Sequence, residues 1–293
     1  DFPVSRENVA ALMHTAVDAS ALHDEVSKAV DEMLTEPVVP LNEVDGSLRF
    51  MSEAVIDIEK DRLKIRPRIA DTRNLFNTML KDIFNPAPTV RLNNSRSVST
   101  GLKVFAGAMP VSLLGDKEPI QTLVEFVPPK EYDAQKDERV TDSMQRSNLN
   151  SVFLVAPEDK DAEDILLEIF RCREIYRQNR NKAADKDVEE YLRAQDQRAQ
   201  KLEKDLEYRI KKALSSGSLI FRAKPRAATE FDKDIVGATK KHLEQVASQV
   251  FDKYSEAPVQ AESATAERFL KTENLEKISS KYDPLDLVKK GGT

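Results

Sequence analysis

Residues 151–157, SVFLVAP, form the clearest buried strand in the sequence. This short apolar run ends at Pro157, and an acidic residue then opens the segment DAEDILLEIFRCREIYRQN at Asp161. A buried strand that leads into an acidic-capped helix is typical of the start of a βα unit. The stretch therefore predicts a sheet with a helix following its central strand.

The longest feature comes next, from Asp185 to Leu214. At about 1.5 Å per residue, a helix of this length is on the order of 45 Å long. Its residues at steps of four and three follow a heptad seam: Val188, Leu192, Gln195, Ala199, Leu202, Leu206, Arg209 and Ala213. Because Gln195 and Arg209 weaken this seam, we expect it to pack against residues 165–178 as an antiparallel helical hairpin rather than form an obligate dimer.

A strand and a helix are predicted after the hairpin. Gly217 is placed to end the long helix with a left-handed cap, and SLIFRA (218–223) then returns as a strand. We predict that this strand runs parallel to the strand at 151–156 in one sheet. A helix follows at 231–254, and we expect residues 256–278 to act as a clasp that covers the sheet domain.

The region before residue 151 also contains strand patterns. A helix is predicted at 68–84, followed by β-like runs: TVRL (89–92), VSTGLKVFAG (98–107), PVSLLG (110–115) and PIQTLVEFVP (119–128). The charged stretch 128–148 is predicted to be a loop.

The N-terminal part reads as two helices and a hairpin. Ser5 can cap the first helix, a second follows at 21–34, and Asp45-Gly46 is a strong hairpin turn between apolar segments. Two helices and a β-ribbon suggest a winged-helix-like unit; the alternative is a small helical cap with a hairpin.

Together these patterns predict a helix-rich α+β protein: a winged-helix-like N-terminal part and a mixed β-sheet domain with a long helical-hairpin (coiled-coil-like) insertion. The predicted divisions are 1–66 for the winged-helix-like segment, 67–158 for the mixed α/β part, 159–216 for the helical arm, and 217–293 for the returning strand, helix and clasp.

Composition restricts the classes of function. The 293 residues carry a formal net charge of −6, which does not favour a protein coated for nucleic acid. The single cysteine, Cys172, indicates a reducing compartment, and we expect a cytoplasmic protein without a membrane segment. Because the chain opens without Met and ends KKGGT, we interpret it as part of a longer protein.

The common catalytic motifs are missing from the sequence. Its 8 glycines form neither G-x-x-x-x-G-K-[ST] nor G-x-G-x-x-G, so the chain has no recognisable phosphate-binding loop. His14, His23 and His242 have no metal-ligand spacing, and Cys172 has no histidine nearby in sequence. We therefore predict no catalytic, cofactor-binding or metal-binding residues, and no enzyme activity.

The basic run EKDRLKIRPR supplies the candidate contacts to DNA or to a partner: Lys60, Arg62, Lys64, Arg66 and Arg68. The alternative is that this run is a solvated strand edge and linker. The nucleic-acid hypothesis combines these residues with the winged-helix-like segment.

Several stretches together resemble a known family. They are LNEVDGSLRFMSE, NSVFLVAPEDKDAEDILLEIFRCREI, ALSSGSLIFRAK and the region from Phe251 to Val288. As a set they resemble the region downstream of the ATPase core in the large P-loop protein of bacterial BREX phage-defence systems, the BrxC/PglY family. The resemblance spans roughly residues 20 to 288. It depends on the order and general character of these stretches rather than on a catalytic motif.

The resemblance implies a large cytoplasmic ATPase that acts with other BREX components in phage exclusion. Since the Walker motifs are missing here, ATP and Mg²⁺ are expected only for the longer parent protein. For this chain the resemblance implies a non-catalytic scaffold that links the ATPase core to partner proteins or DNA.

Overall fold

The computed structural model describes residues 3–13, 22–35, 39–44, 46–92, 96–107, 109–181 and 186–253. Across these residues the protein is a mixed α+β structure with 8 helices and a curled mixed sheet. The predicted helix-rich α+β class is therefore confirmed at this level. The predicted clasp at 256–278 lies outside the described residues.

The elements follow one another in a single order. The helices are α1 (Arg6–Leu12), α2 (His23–Thr35), α3 (Glu53–Lys64), α4 (Ile69–Ile83), α5 (Tyr132–Asp142), α6 (Ala162–Asn179), α7 (Lys186–Ser215) and α8 (Ile235–Val250). The strands are β1 (Leu41–Val44), β2 (Ser47–Phe50), β3 (Thr89–Leu92), β4 (Arg96–Phe105), β5 (Pro110–Leu114), β6 (Ile120–Val127), β7 (Ser151–Pro157), β8 (Ser218–Phe221) and β9 (Lys224–Ala227). Short 3-10 helices lie at Arg146–Asn148 and Ala228–Glu230.

The chain forms two compact units, each built from two separate stretches. Of the described residues, unit 1 combines those within 1–75 and 161–206, and unit 2 combines those within 76–160 and 207–253. The division of the sequence into four segments stays a prediction.

Unit 2 is organised around a seven-stranded sheet. Its order is β3-β4-β6-β7-β8-β9, with β5 paired to β4. Strands β4, β6 and β7 are parallel, whereas all the other pairings are antiparallel. The burial of nearly every residue of β7 explains why its sequence reads as a continuous apolar run.

The central strands of unit 2 form two apolar layers. On one face Leu123, Phe153 and Ile220 lie in register across β6, β7 and β8. On the opposite face Val124 and Leu154 pair in the same way. Because side chains alternate along a strand, both faces of these strands are buried and both need a covering layer. Helix α5 covers the first face, while α8 packs on β3 and β8.

The loop predicted at 128–148 was wrong, since α5 occupies its centre. The helix has no continuous apolar stripe, and only Tyr132 and Val140 pack against the sheet core. Its main attachment is ionic: Arg139 donates to both carboxylate oxygens of Glu125 on β6, at 2.6 and 2.8 Å. A helix attached by polar contacts does not show the periodicity on which the prediction relied.

The predicted parallel pairing of the strands at 151–156 and 218–222 was also wrong. Strands β7 and β8 are antiparallel, with Phe153 opposite Ile220. A crossover through one helix returns the next strand in parallel. Here the connection contains two helices, α6 and α7, so the chain reverses once more before β8 begins.

Unit 1 contains two apolar clusters, one that includes the β1–β2 hairpin and one that begins just after it. Leu48 packs with Ala10, Val26 and Val30 of α1 and α2. Met51, directly after β2, packs with a second cluster from α3 and α7: Val55, Ile58, Val188, Tyr191 and Leu192. Arg6 of α1 fastens the first cluster by ion pairs to Asp31 and Glu43.

The long helix was predicted correctly, but its buried face shifts along its length. Of the predicted seam up to Leu206, all positions are buried except Leu202, which is half-buried. Beyond Leu206 the buried positions are instead Ile210 and Leu214, in place of Arg209 and Ala213. The change falls where the helix passes from unit 1 to unit 2, so its two parts pack against different neighbours.

Candidate functional site

The five basic residues predicted as candidate contacts lie in the second half of α3 and in the segment after it. The alternative interpretation was a solvated strand edge and linker. The strand was wrong because residues 53–64 are helical, whereas residues 65–68 do link α3 to α4. Three exposed members pair with an acid three residues away: Lys60 with Asp57, Lys64 with Asp61, and Arg68 with Asp71. Arg66 donates a hydrogen bond to the carbonyl oxygen of Leu63. The acids reduce the positive charge that this segment offers to a phosphate.

Arg62 differs from the other four because it is only 4 % exposed. Its guanidinium donates to the carboxylate of Glu59 at 2.7 and 2.8 Å, and to that of Glu168 at 2.9 Å. Glu59 belongs to α3 itself, whereas Glu168 belongs to α6. This burial keeps Arg62 away from a nucleic-acid phosphate, so a role as a DNA contact does not fit its position.

The local sequence explains why Arg62 points inward. Val55, Ile58 and Arg62 lie three and four residues apart, which places them on one face of α3. Val55 and Ile58 belong to the apolar cluster with Tyr191 and Leu192 of α7. Arg62 extends the same face by one turn and meets acidic partners instead of apolar ones.

Glu168 is the point at which three arginines meet. Its Oε2 accepts hydrogen bonds from Arg62 at 2.9 Å and Arg198 at 3.0 Å, and its Oε1 accepts one from Arg171 at 2.9 Å. Arg171 is on α6 and Arg198 is on α7, so one carboxylate connects three helices. We call the whole set the Arg62 cluster; it consists of Glu59, Arg62, Glu168, Arg171, Tyr191 and Arg198.

Two further contacts complete the Arg62 cluster. Arg171 donates to the carbonyl oxygens of Leu63 and Ile65, both at 3.3 Å. These carbonyls lie at the C-terminal end of α3, where a helix leaves its last acceptors without partners. From α7, the hydroxyl of Tyr191 donates to Glu59. Helix α3 is thus bonded to α6 at its end and to α7 along its side.

The electrostatics of the cluster favour fixed protonation states. Burial alone would raise the pKa of Glu168, but the hydrogen bond from Arg171 and the charge of Arg62 outweigh it, so the pKa lies below its usual value. Burial, and then the hydrogen bond to Glu59, raise the pKa of the Tyr191 phenol. Near pH 7 the carboxylate of Glu168 is therefore ionised and the phenol of Tyr191 is protonated.

Cys172 lies next to the cluster and is fully buried. Its Sγ donates to Oε1 of Gln195, at 3.1 Å. Burial raises the pKa of the thiol, which disfavours the thiolate that nucleophilic chemistry requires. Cys172 therefore faces the core from α6, and Gln195 is the polar residue of the seam that pairs with it.

The two histidines that the structure describes belong to different units. His23 opens α2 at the surface, His242 is buried in α8 of unit 2, and His14 lies outside the described residues. His242 packs on the ring of Phe231, with ring centroids 4.9 Å apart. Burial, and then the charge of Arg226, lower the pKa of His242 to about 4. Across the described ranges, no group of three or more His, Cys, Asp or Glu side chains is arranged to hold a metal ion.

In unit 2 the carboxyl ends of the parallel strands are the usual place for a ligand in an open α/β sheet. Glu158 and Asp159 follow β7 at this edge. Both oxygens of Asp159 accept hydrogen bonds from Arg209, at 3.2 Å, and the amide of Glu158 donates to the carbonyl of Val127. These contacts tie the loop to its neighbours and give it a structural role.

Sequence reasoning found Arg62 but missed the other members of the cluster. Glu168 and Arg171 lie in an amphipathic helical stretch, and Arg198 lies among many exposed charged residues. Their partner Arg62 lies 106 residues from Glu168 along the chain. The one available signal was a charged residue at the apolar spacing of Val55 and Ile58.

No helix in the described part of the chain is long and apolar enough to cross a bilayer. Comparisons with family models, with curated proteins and with solved structures gave no match.

Proposed function

We propose that this chain is a scaffold and interaction module rather than an enzyme, and the Arg62 cluster is the observation that supports this best. The cluster contains the residue types used in catalysis: two carboxylates, a phenol and three guanidinium groups. Each of its six members bonds to another member, and together they join α3, α6 and α7. Side chains used in this way hold helices in position.

The finer architecture belongs to the same proposal. We propose that α1, α2 and the β1–β2 hairpin form a winged-helix-like docking module, which their order and shared core support. We propose also that α6 and α7 act as a coiled-coil-like helical arm. The buried seam positions from Val188 to Leu206 support this arm, as does the ion pair between Arg173 and Glu203, at 2.7 Å.

The family assignment is carried by the sequence resemblance alone. On that basis we propose that the chain is a segment of a cytoplasmic BREX phage-defence ATPase of the BrxC/PglY family. Its partners would then be other BREX components, and ATP and Mg²⁺ would bind the parent protein rather than this segment.

The scaffold proposal is tested with the purified chain in two assays. We expect no ATP hydrolysis above a heat-denatured sample when release of inorganic phosphate is followed at saturating ATP and Mg²⁺. We expect at least one purified BREX component to bind the chain in calorimetric titrations. ATP turnover that separates from the chain on gel filtration comes from a contaminant. Turnover that co-elutes with the chain contradicts the proposal.

The alternative is a nucleic-acid-binding module that uses the winged-helix-like segment. A gel-shift titration at several salt concentrations tests it with the variant K60A/K64A/R66A/R68A, which leaves the buried Arg62 in place. If the alternative holds, this variant binds with lower affinity and with a weaker salt dependence. Binding releases fewer counterions when phosphate contacts have been removed.

The matched control changes four exposed lysines elsewhere. The variant K28A/K81A/K130A/K240A removes the same formal charge and leaves the basic run intact. Equal weakening by both variants indicates a general charge effect and rejects a site at the basic run.

A further inference from the structure

The Arg62 cluster carries more positive than negative charge. Arg62, Arg171 and Arg198 supply three guanidinium groups, and Glu59 and Glu168 supply two carboxylates. All three arginines reach a single acceptor group, the carboxylate of Glu168, at 2.9 to 3.0 Å. Converging arginines of this kind are the arrangement by which proteins bind oxyanions, with the internal carboxylate in the place of the ligand.

We propose that the three arginines form an oxyanion-binding site of the phosphate class, in which Glu168 is the resident anion that an external oxyanion displaces. A phosphate offers at least three acceptor oxygens, one for each guanidinium. The carboxylate offers two, and its Oε2 is shared by Arg62 and Arg198. The external ligand therefore matches the donors at least as well as Glu168 does.

The site is open to solvent on one side. The side chain of Arg198 is 50 % exposed and that of Glu168 is 24 % exposed, whereas Arg62 lies at the buried end. A small anion can reach Arg198 from solvent and then take the position of the carboxylate. Rotation about the side-chain bonds of Glu168 would release its carboxylate while its backbone stays in α6.

Displacement of Glu168 would alter how α6 is attached to α3. The ion pair between Arg62 and Glu168 is then lost, while Arg171 keeps its bonds to the carbonyls of Leu63 and Ile65. The bound oxyanion joins arginines from α3, α6 and α7 in place of the carboxylate. The proposal goes beyond the scaffold function, since the same side chains that hold the helices in position would also take a ligand.

Isothermal titration of inorganic phosphate at pH 7.5, with sodium chloride added to equal ionic strength, tests the proposal. We expect wild type to bind with a Kd of about a millimolar. The variant E168A lacks the competing anion, and we expect it to bind phosphate at least roughly tenfold more tightly, which corresponds to one charge-assisted hydrogen bond. The variant R198A, in contrast, loses detectable binding.

The matched control is E203A. Glu203 also accepts hydrogen bonds from an arginine of α6, Arg173. This pair contains a single guanidinium and lies at the surface. We expect E203A to bind phosphate like wild type. The proposal is overturned if wild type does not bind phosphate, or if E168A binds it no more tightly than E203A.

A second variant protects the test against loss of folding. E168Q keeps the size of the side chain and removes its charge, and circular dichroism confirms that its helices are intact. Tighter phosphate binding by folded E168Q supports the proposal, whereas unchanged binding contradicts it.

Discussion

Each of the two units is stabilised internally by a different kind of interaction. In unit 2 the central strands β6, β7 and β8 bury apolar side chains on both faces, and β7 contributes nearly all of its residues. In unit 1 the apolar clusters are small, and the Arg62 cluster lies between the helices α3, α6 and α7. The apolar contacts within the sheet core are non-directional, whereas the ion pairs of the Arg62 cluster require particular partners at particular distances.

This difference predicts how each unit responds to substitution. A sheet core tolerates a change in chemistry if volume is kept, but loses stability when volume is removed. A buried ionic cluster does the opposite: it tolerates removal of all its charges together and loses stability when one charge is left alone.

The largest effect is expected for Phe153→Ala in β7. Phe153 is 1 % exposed and lies at the centre of the layer between Leu123 and Ile220. Its truncation leaves a cavity, and we expect a loss of about 3 to 5 kcal/mol in the free energy of unfolding. Urea denaturation measures this loss. The control Val111→Ala, on the exposed strand β5, should change stability by less than about 0.5 kcal/mol.

The next effect tests the ionic cluster through Arg62→Ala. The substitution leaves Glu59 and Glu168 without their shared partner, and we expect a loss of about 3 kcal/mol, at the lower end for a broken buried pair because Arg171 and Arg198 still hold Glu168. Arg49→Ala is the control, since it breaks the exposed pair with Glu190 and should cost about 0 to 1 kcal/mol. Similar losses for both variants in urea denaturation would remove the special status of the cluster.

A third effect concerns pH and belongs to unit 2. His242 is 5 % exposed, and burial lowers its pKa from 6.5 to about 4. The unfolded chain therefore binds more protons than the folded one between these values, so stability falls as the pH falls through this window. By linkage, we expect His242 to account for about 2 kcal/mol of lost stability between pH 7.5 and pH 5.

The variant His242→Phe isolates that contribution. Phenylalanine keeps an aromatic ring against Phe231 and cannot take up a proton. Denaturation at several pH values should show a shallower loss for the variant than for wild type. Parallel curves for the two proteins would show that His242 is not the group that titrates.

The smallest effect is a gain in stability at the turn between β8 and β9. Ala223 has a φ of 61°, in the left-handed region that side chains with a Cβ disfavour. We expect Ala223→Gly to stabilise the protein by about 0.5 kcal/mol, because relief of this strain exceeds the added entropy of the unfolded chain. Ala227, with a φ of −64°, is the control, and Ala227→Gly should destabilise. A thermal melt distinguishes the two signs.

The contrast between the units also explains what the sequence could predict. Strand β7 and helix α7 were found because a buried strand and a long amphipathic helix leave a periodic pattern in neighbouring residues. Helix α5 was missed because its attachment depends on Arg139 and Glu125, which come from different elements. The direction of β8 was predicted wrongly because the rule for a crossover through one helix was applied to a connection that contains two.

The candidate site was the least predictable part. The basic run at residues 60–68 was recognised, but sequence alone could not separate the buried Arg62 from its exposed neighbours. The partner Glu168 lies 106 residues away, and one sequence carries no signal for a contact at that distance. A buried ion pair is specified by tertiary packing, whereas exposed pairs three residues apart can be predicted from helical spacing.

The most direct test of the central claim is a double-mutant cycle between Arg62 and Glu168. The claim is that these residues act as one unit that fastens α3 to α6. Urea denaturation of wild type, R62M, E168Q and the double variant gives the interaction energy between the two side chains. We expect the double variant to lose at least about 1 kcal/mol less unfolding free energy than the two single variants lose together. Losses that add to within about 0.3 kcal/mol would contradict it.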